Sequence, residues 1–163
     1  MLTQVESIKG EDDEDMRLLM EMAEQARDYV TSFQWCPPIA REWLADGIGG
    51  VVAIFLFEFT HKIDGDDKVW VIVGDLPPAF KAVEPNDTPQ SVLDDYCFLM
   101  DDWIAAVRTG GSFDDVFPVA AARTEEHARM LESRLATLRD DIIPQFSTDR
   151  ATDAKGKIVV PGK

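Results

Sequence analysis

The sequence predicts an α+β domain: a small antiparallel sheet flanked by two helix pairs, in the order ααββ(β)αα. Three observations lead there. Apolar residues recur at helical spacing towards both ends of the chain. Between them, two runs of β-branched and aromatic residues flank Asp64-Gly65, a strong hairpin signal. Both faces of that hairpin are apolar, so helices are needed on both sides of the sheet.

Each element carries its own signals. Residues 12–33 place Met16, Leu19, Met20, Ala23, Ala26, Val30 and Phe33 at helical spacing. Asp12, Asp13, Glu14 and Asp15 stand at the start, where a helix dipole favours negative charge. Trp35-Cys36-Pro37-Pro38 stops this helix. The two prolines predict a short second helix to about Asp46, with Gly47 as its C-cap.

The hairpin follows, as Val51–Thr60 and Lys68–Val73. A two-residue loop at Asp64-Gly65 would set Ile63 opposite Asp66 and Phe59 opposite Trp70. Phe55, Phe57, Phe59, Trp70 and Ile72 would then share one face. Val52, Ile54, Leu56, Val69, Val71 and Val73 would share the other. Asp75-Leu76-Pro77-Pro78 breaks the second strand, and Ala79 to Val83 can return as a third.

Thr88 as N-cap and Pro89 at the first position start a helix that runs to about Thr109. Gly110-Gly111 ends it. A last helix spans about Thr124 to Ile143, with Ala128, Leu131, Leu135, Leu138 and Ile142 as its apolar stripe, and Pro144 stops it. Residues 1–146 thus read as one α+β domain. Residues 147–163 read as a flexible polar tail, or as an edge strand for a partner through Ile158-Val159-Val160.

The chain has 163 residues, 45% of them apolar, which suits one globular domain. Charge is the outlier. Thirty-one acidic residues against 16 basic ones leave −15. Residues 1–120 carry 24 of the acidic and 8 of the basic side chains, so the acidic field belongs to them. Such a chain repels nucleic-acid phosphates and anionic membrane surfaces, so neither is expected as a partner.

No apolar run approaches the roughly 20 residues of a spanning helix. The first fifteen residues have no basic region followed by an apolar stretch, so they do not read as a signal peptide. Cys36 and Cys97 are too few for a disulfide framework. The expectation is a cytoplasmic protein with reduced thiols. Apolar edges on a two- or three-stranded sheet favour a homodimer.

Two stretches carry a resemblance. Ser32-Phe33-Gln34-Trp35-Cys36-Pro37-Pro38-Ile39 and Trp70-Val71-Ile72-Val73-Gly74-Asp75-Leu76-Pro77-Pro78-Ala79-Phe80 resemble stretches of small uncharacterised bacterial cytoplasmic proteins. The resemblance implies no activity and supplies no catalytic residue.

Familiar chemical motifs are absent. Gly47, Gly49 and Gly50 precede a strand, whereas a phosphate loop needs its glycines between a strand and a helix. There is no H-E-x-x-H, C-x-x-C or G-x-S-x-G. Asp64-Gly65-Asp66-Asp67 is too short for a calcium loop of about twelve residues. No cofactor or metal is therefore expected.

Two residues remain as catalytic candidates. Cys36 falls where the N-cap of the Pro37 helix would lie, and helix N-terminal amides raise a thiolate fraction. It can equally be a packing residue beside Trp35. Asp75 closes a buried strand, where sites often sit, or it serves as a turn carboxylate. His61 and His127 are the only imidazoles, and the sequence places neither beside Cys36. Glu58 sits on a mainly apolar sheet face, as an acid of raised pKa or as a partner for a Lys or Arg from a covering helix.

The helix begun by Thr88 carries the clearest surface signal. Val92, Tyr96, Leu99, Met100, Trp103 and Val107 point one way. Asp94, Asp95, Asp101 and Asp102 fall within an arc of about 120° on the other side, with Phe98 in the middle. An aromatic ring framed by carboxylates resembles an interface anchor with a charged rim. The alternative buries Phe98 under the 110–118 loop or against another helix. The function that follows is an acidic interaction module for a basic partner, inhibitor- or immunity-like in character. Alternatives are a small enzyme using Cys36 or Asp75, and an orphan structural domain with an unknown ligand.

Overall fold

A computed structural model of the chain describes residues 2–159. Five strands form one antiparallel sheet in sequence order: β1 (Thr3–Gln4), β2 (Ile39–Ile48), β3 (Val52–Ile63), β4 (Asp66–Gly74) and β5 (Ala79–Ala82). Helix α1 (Asp13–Thr31) covers one face. Helices α2 (Pro89–Thr109) and α3 (Glu125–Thr137) cover the other. The α+β class follows directly.

Local chemistry sets the helix ends. The Asp12 carboxylate accepts from the Asp15 amide at 2.8 Å, and Asp13, Glu14 and Asp15 occupy the first turn of α1. Asp15 in turn accepts from the Gly49 amide at 2.8 Å, which ties the start of α1 to the β2–β3 turn. Thr88 and Ser91 cap α2 reciprocally, Pro89 opens it, and Gly110 ends it at φ 64°. Thr124 caps α3, which continues through a wider turn at Leu138–Ile142 and a tight turn at Ile143–Gln145.

The sheet divides the core in two. Leu44, Ala53, Phe55, Phe57, Phe59, Val69, Val71 and Val73 pack against Leu19, Met22, Ala23, Ala26 and Val30 of α1. Trp43, Val52, Ile54, Leu56, Trp70 and Ile72 pack against α2 and α3 through Val92, Tyr96, Met100, Trp103 and Leu135. Burial of both sheet faces accounts for the near-continuous apolar run of β3.

Three expectations are corrected. The predicted second helix over 37–46 is strand β2. Pro38 does not open a helix; its carbonyl accepts from the Thr60 amide at 3.0 Å. The twelve-residue β3 is apolar on both faces and needs a partner along each edge, and β2 supplies one. Tertiary pairing overrides the proline signal.

The hairpin register is the second correction. Ile63 does pair with Asp66, but the pairing is irregular from there to Glu58, which faces Lys68. Phe57 then faces Val69, and Leu56 faces Trp70. The bulge flips β4 relative to the expected faces, so the phenylalanines share a face with valines and not with Trp70.

The third concerns the polar tail. Ala151 and Thr152 are buried. The Thr152 hydroxyl donates to the Glu84 carbonyl and accepts from the Asp87 amide, both at 3.0 Å. The Ala151 amide donates to the Asp87 carbonyl at 2.8 Å, and Thr152 bridges to Ile158. The 83–87 loop needs partners for its backbone polar groups, and the returning chain provides them. Of the expected edge strand, Val160 lies outside the described residues.

Candidate interaction surface

Helix α2 is pinned by its buried side. Val92, Leu93, Tyr96, Cys97, Met100, Trp103 and Ile104 are all buried, and the Tyr96 hydroxyl donates to the Pro77 carbonyl at 2.6 Å. That fixes which residues face out. Phe98 is 64% exposed, the largest exposure among the bulky apolar side chains of the described residues. The 110–118 loop does not cover it, because Phe117 packs on Phe80 and Phe113 stacks under the Arg123 guanidinium at 3.8 Å.

The four flanking carboxylates differ in their surroundings. Asp94 and Asp102 are exposed and join no ion pair among the described residues. Asp95 pairs with Lys81 at 3.1 Å. Asp101 pairs with Arg139, whose guanidinium also lies 5.9 Å from the Phe98 ring centre. The hydrogen bond that Arg139 donates to Asp101 holds its guanidinium above the usual pKa. The patch is therefore an exposed ring with one engaged cation at its side and two free carboxylates.

The structure separates the catalytic candidates. No helix begins at Cys36, so the amides that would stabilise a thiolate are missing there. Burial pushes its thiol pKa up, and Sγ lies 3.3 Å from the Pro37 carbonyl. Cys97 is buried, which pushes its pKa up to about 11. Asp75 has a 76% exposed side chain in the turn after β4. Arg134 donates to its main-chain carbonyl at 2.8 Å and reaches its carboxylate only at 3.5 Å.

Asp75 and His127 do line one cleft of about 240 Å³, with Trp103, Met130 and Arg134. The His127 ring nitrogen Nδ1 is 2.8 Å from the Thr124 hydroxyl, within the α3 cap. Cys36 packs against the opposite face of the sheet, among the residues beneath α1. His61 is exposed beside Thr60. Thiol, carboxylate and imidazole thus do not share a cleft.

One carboxylate cluster among the described residues is compact enough for a metal: Glu84, Asp87 and Asp95. The Lys81 ammonium lies 3.1 Å from Asp95 and 3.8 Å from Asp87, which supplies the positive charge that a metal would. The buried Asp87 carboxylate also accepts from the Trp70 indole at 2.7 Å and the Glu84 amide at 2.8 Å. It reads as a structural acceptor.

Sequence reasoning missed two features. Glu58 is paired with Arg41 of the neighbouring strand, not with a covering helix. Phe33 and Trp35 after α1 meet Phe80 of β5, at ring-centre distances of 5.0 and 5.1 Å, with Phe117 5.2 Å from Phe80. This cluster joins the two stretches that carried the resemblance, and their aromatic content was its signal. No protein-family model, curated protein or solved structure matches the chain.

Proposed function

We propose that the chain is an acidic protein-interaction module that receives a basic partner on the outer face of α2. The exposure of Phe98 carries this reading. A lone exposed apolar side chain is ordinary. Here it projects from a helix anchored by nine buried residues, between the free carboxylates of Asp94 and Asp102. A rigid aromatic anchor with an acidic rim fits a basic surface with an apolar pocket. The net charge of −15 adds long-range attraction to such a partner. An inhibitor that masks a basic cytoplasmic protein is the function of this kind.

The enzyme alternative has less support. Cys36 has neither a helix N-terminus nor an imidazole beside it. Asp75 and His127 share a cleft, but Asp75 is solvated and His127 serves the α3 cap. The homodimer expected from apolar sheet edges is opposed by the net charge of −15 on each chain. Among the described residues no helix is long and apolar enough to cross a membrane.

The test is affinity capture from an extract of the cells that make the protein, at low and high salt. Wild-type chain should hold a basic protein that Phe98→Ala releases. Identical capture by both would count against the proposal.

A further inference from the structure

Beyond the outer face of α2, a groove lies between α3 and the turn after β4. Two cavities meet in it. The first, of about 240 Å³, is walled by Leu76, Pro77, Trp103, Val119, Met130 and Leu131. The second, of about 250 Å³, continues past Val51, Leu138 and Ile142. Asp75, Leu76 and Arg134 line both, so Arg134 stands where they join. Met130, 47% exposed, and Val51, 39% exposed, keep the groove apolar out to its rim.

The charges in this groove point to its occupant. Arg134 donates from Nε to the Asp75 main-chain carbonyl at 2.8 Å, which fixes the plane of the guanidinium through a backbone group. Its Nη2 reaches the Asp75 carboxylate only at 3.5 Å, the outer limit of a hydrogen bond. Its Nη1 makes no hydrogen bond among the described residues. The Asp75 side chain is 76% exposed, so water screens the attraction that remains. Asp75 is also the one carboxylate among the residues lining either cavity, in a chain of net charge −15. A pre-oriented guanidinium with donors to spare thus borders an apolar cavity.

We propose that this groove binds a small carboxylic acid with an apolar body, an aromatic ring or a short hydrocarbon chain. The carboxylate accepts from the terminal nitrogens of Arg134, in the two-pronged geometry that suits a guanidinium, and replaces the long contact to Asp75. The body lies in the first cavity against Trp103, Met130 and Leu131 and keeps water from the ion pair. An apolar cavity of about 150 Å³ already accepts a benzene ring, so the space suffices.

The test follows the imidazole C–H signals of the full-length chain, which has two histidines. His127 lines the first cavity, whereas His61 is exposed near the end of β3 and serves as the internal control. His61→Gln assigns the pair by the signal it removes. Phenylacetate and hexanoate are titrated at matched ionic strength against their uncharged amides and against acetate, which has the charge without the body. The proposal expects the His127 signal to shift saturably with at least one of the two acids while His61 stays still. The corresponding amide and acetate should each bind at least tenfold more weakly.

Arg134→Gln should weaken the acid by about tenfold or more, the loss of a charge-assisted hydrogen bond. Asp75→Asn keeps the backbone carbonyl that orients Arg134 but removes the competing carboxylate, so it should strengthen binding severalfold. If Arg134→Gln does not fold, the response of Asp75→Asn decides alone. The proposal is overturned if neither acid moves His127 saturably, if His61 moves with it, or if the amides bind as tightly as the acids. It is equally overturned if saturable binding ignores the charge changes at positions 134 and 75, since the acid would then sit elsewhere.

Discussion

The Trp70 indole donates to the Asp87 carboxylate at 2.7 Å, in a layer where both residues are buried. The same carboxylate oxygen accepts from the Glu84 amide, and the Asp87 amide donates to the Thr152 hydroxyl. Asp87 thus joins the central sheet and the loop before α2 through its carboxylate, and the C-terminal segment through its amide. Asp87→Ala should strand the Trp70 and Glu84 donors and cost about 2–4 kcal/mol. Thr152→Val keeps the shape but loses both hydroxyl bonds, at about 2 kcal/mol. Urea denaturation of both variants measures this. A flexible tail would leave Thr152→Val as stable as wild type.

Alkylation rates report the thiols. Burial raises the pKa of both cysteines, so each carries less thiolate at neutral pH than a free cysteine would. Iodoacetamide labelling of Cys36 should therefore be slower at pH 7 than that of a free cysteine and climb only as the solution becomes alkaline. Cys97, with a pKa near 11, should resist until the chain unfolds. Fast labelling of Cys36 well below pH 8 would revive the nucleophile reading.

Charge predicts assembly. A net charge of −15 on each chain opposes close approach of two copies. Light scattering at micromolar concentration should give a mass near 18.2 kDa. A mass of twice that value would restore the homodimer.

Local chemistry was legible in the sequence and long-range pairing was not. Asp12, Thr88 with Pro89, Gly110 and Thr124 mark helix ends because capping uses neighbours a few residues away. Phe98 was placed on the outer face of α2 by its angle alone. Strand β2 was hidden because its partner β3 decides its conformation, while Pro37-Pro38 mimics a helix start. The hairpin faces were misassigned because the bulge between Glu58 and Ile63 leaves no mark in composition.

The central claim is that Phe98 and the carboxylates beside it form a binding surface and not part of the core. The most direct measurement compares wild type, Phe98→Ala and the Asp94→Asn/Asp102→Asn double variant in salt-graded capture, with a melting temperature for each. Carboxylates speed encounter, and their help fades as the Debye length shrinks to about 8 Å near 0.15 M salt. A buried aromatic anchor is little screened, and truncating one costs roughly 2 kcal/mol or more. The account predicts three unchanged melting temperatures, slower association for the double variant at low salt, and faster release of a basic partner by Phe98→Ala at every salt concentration. A melting temperature lowered by several degrees in Phe98→Ala, with capture unchanged, would contradict it.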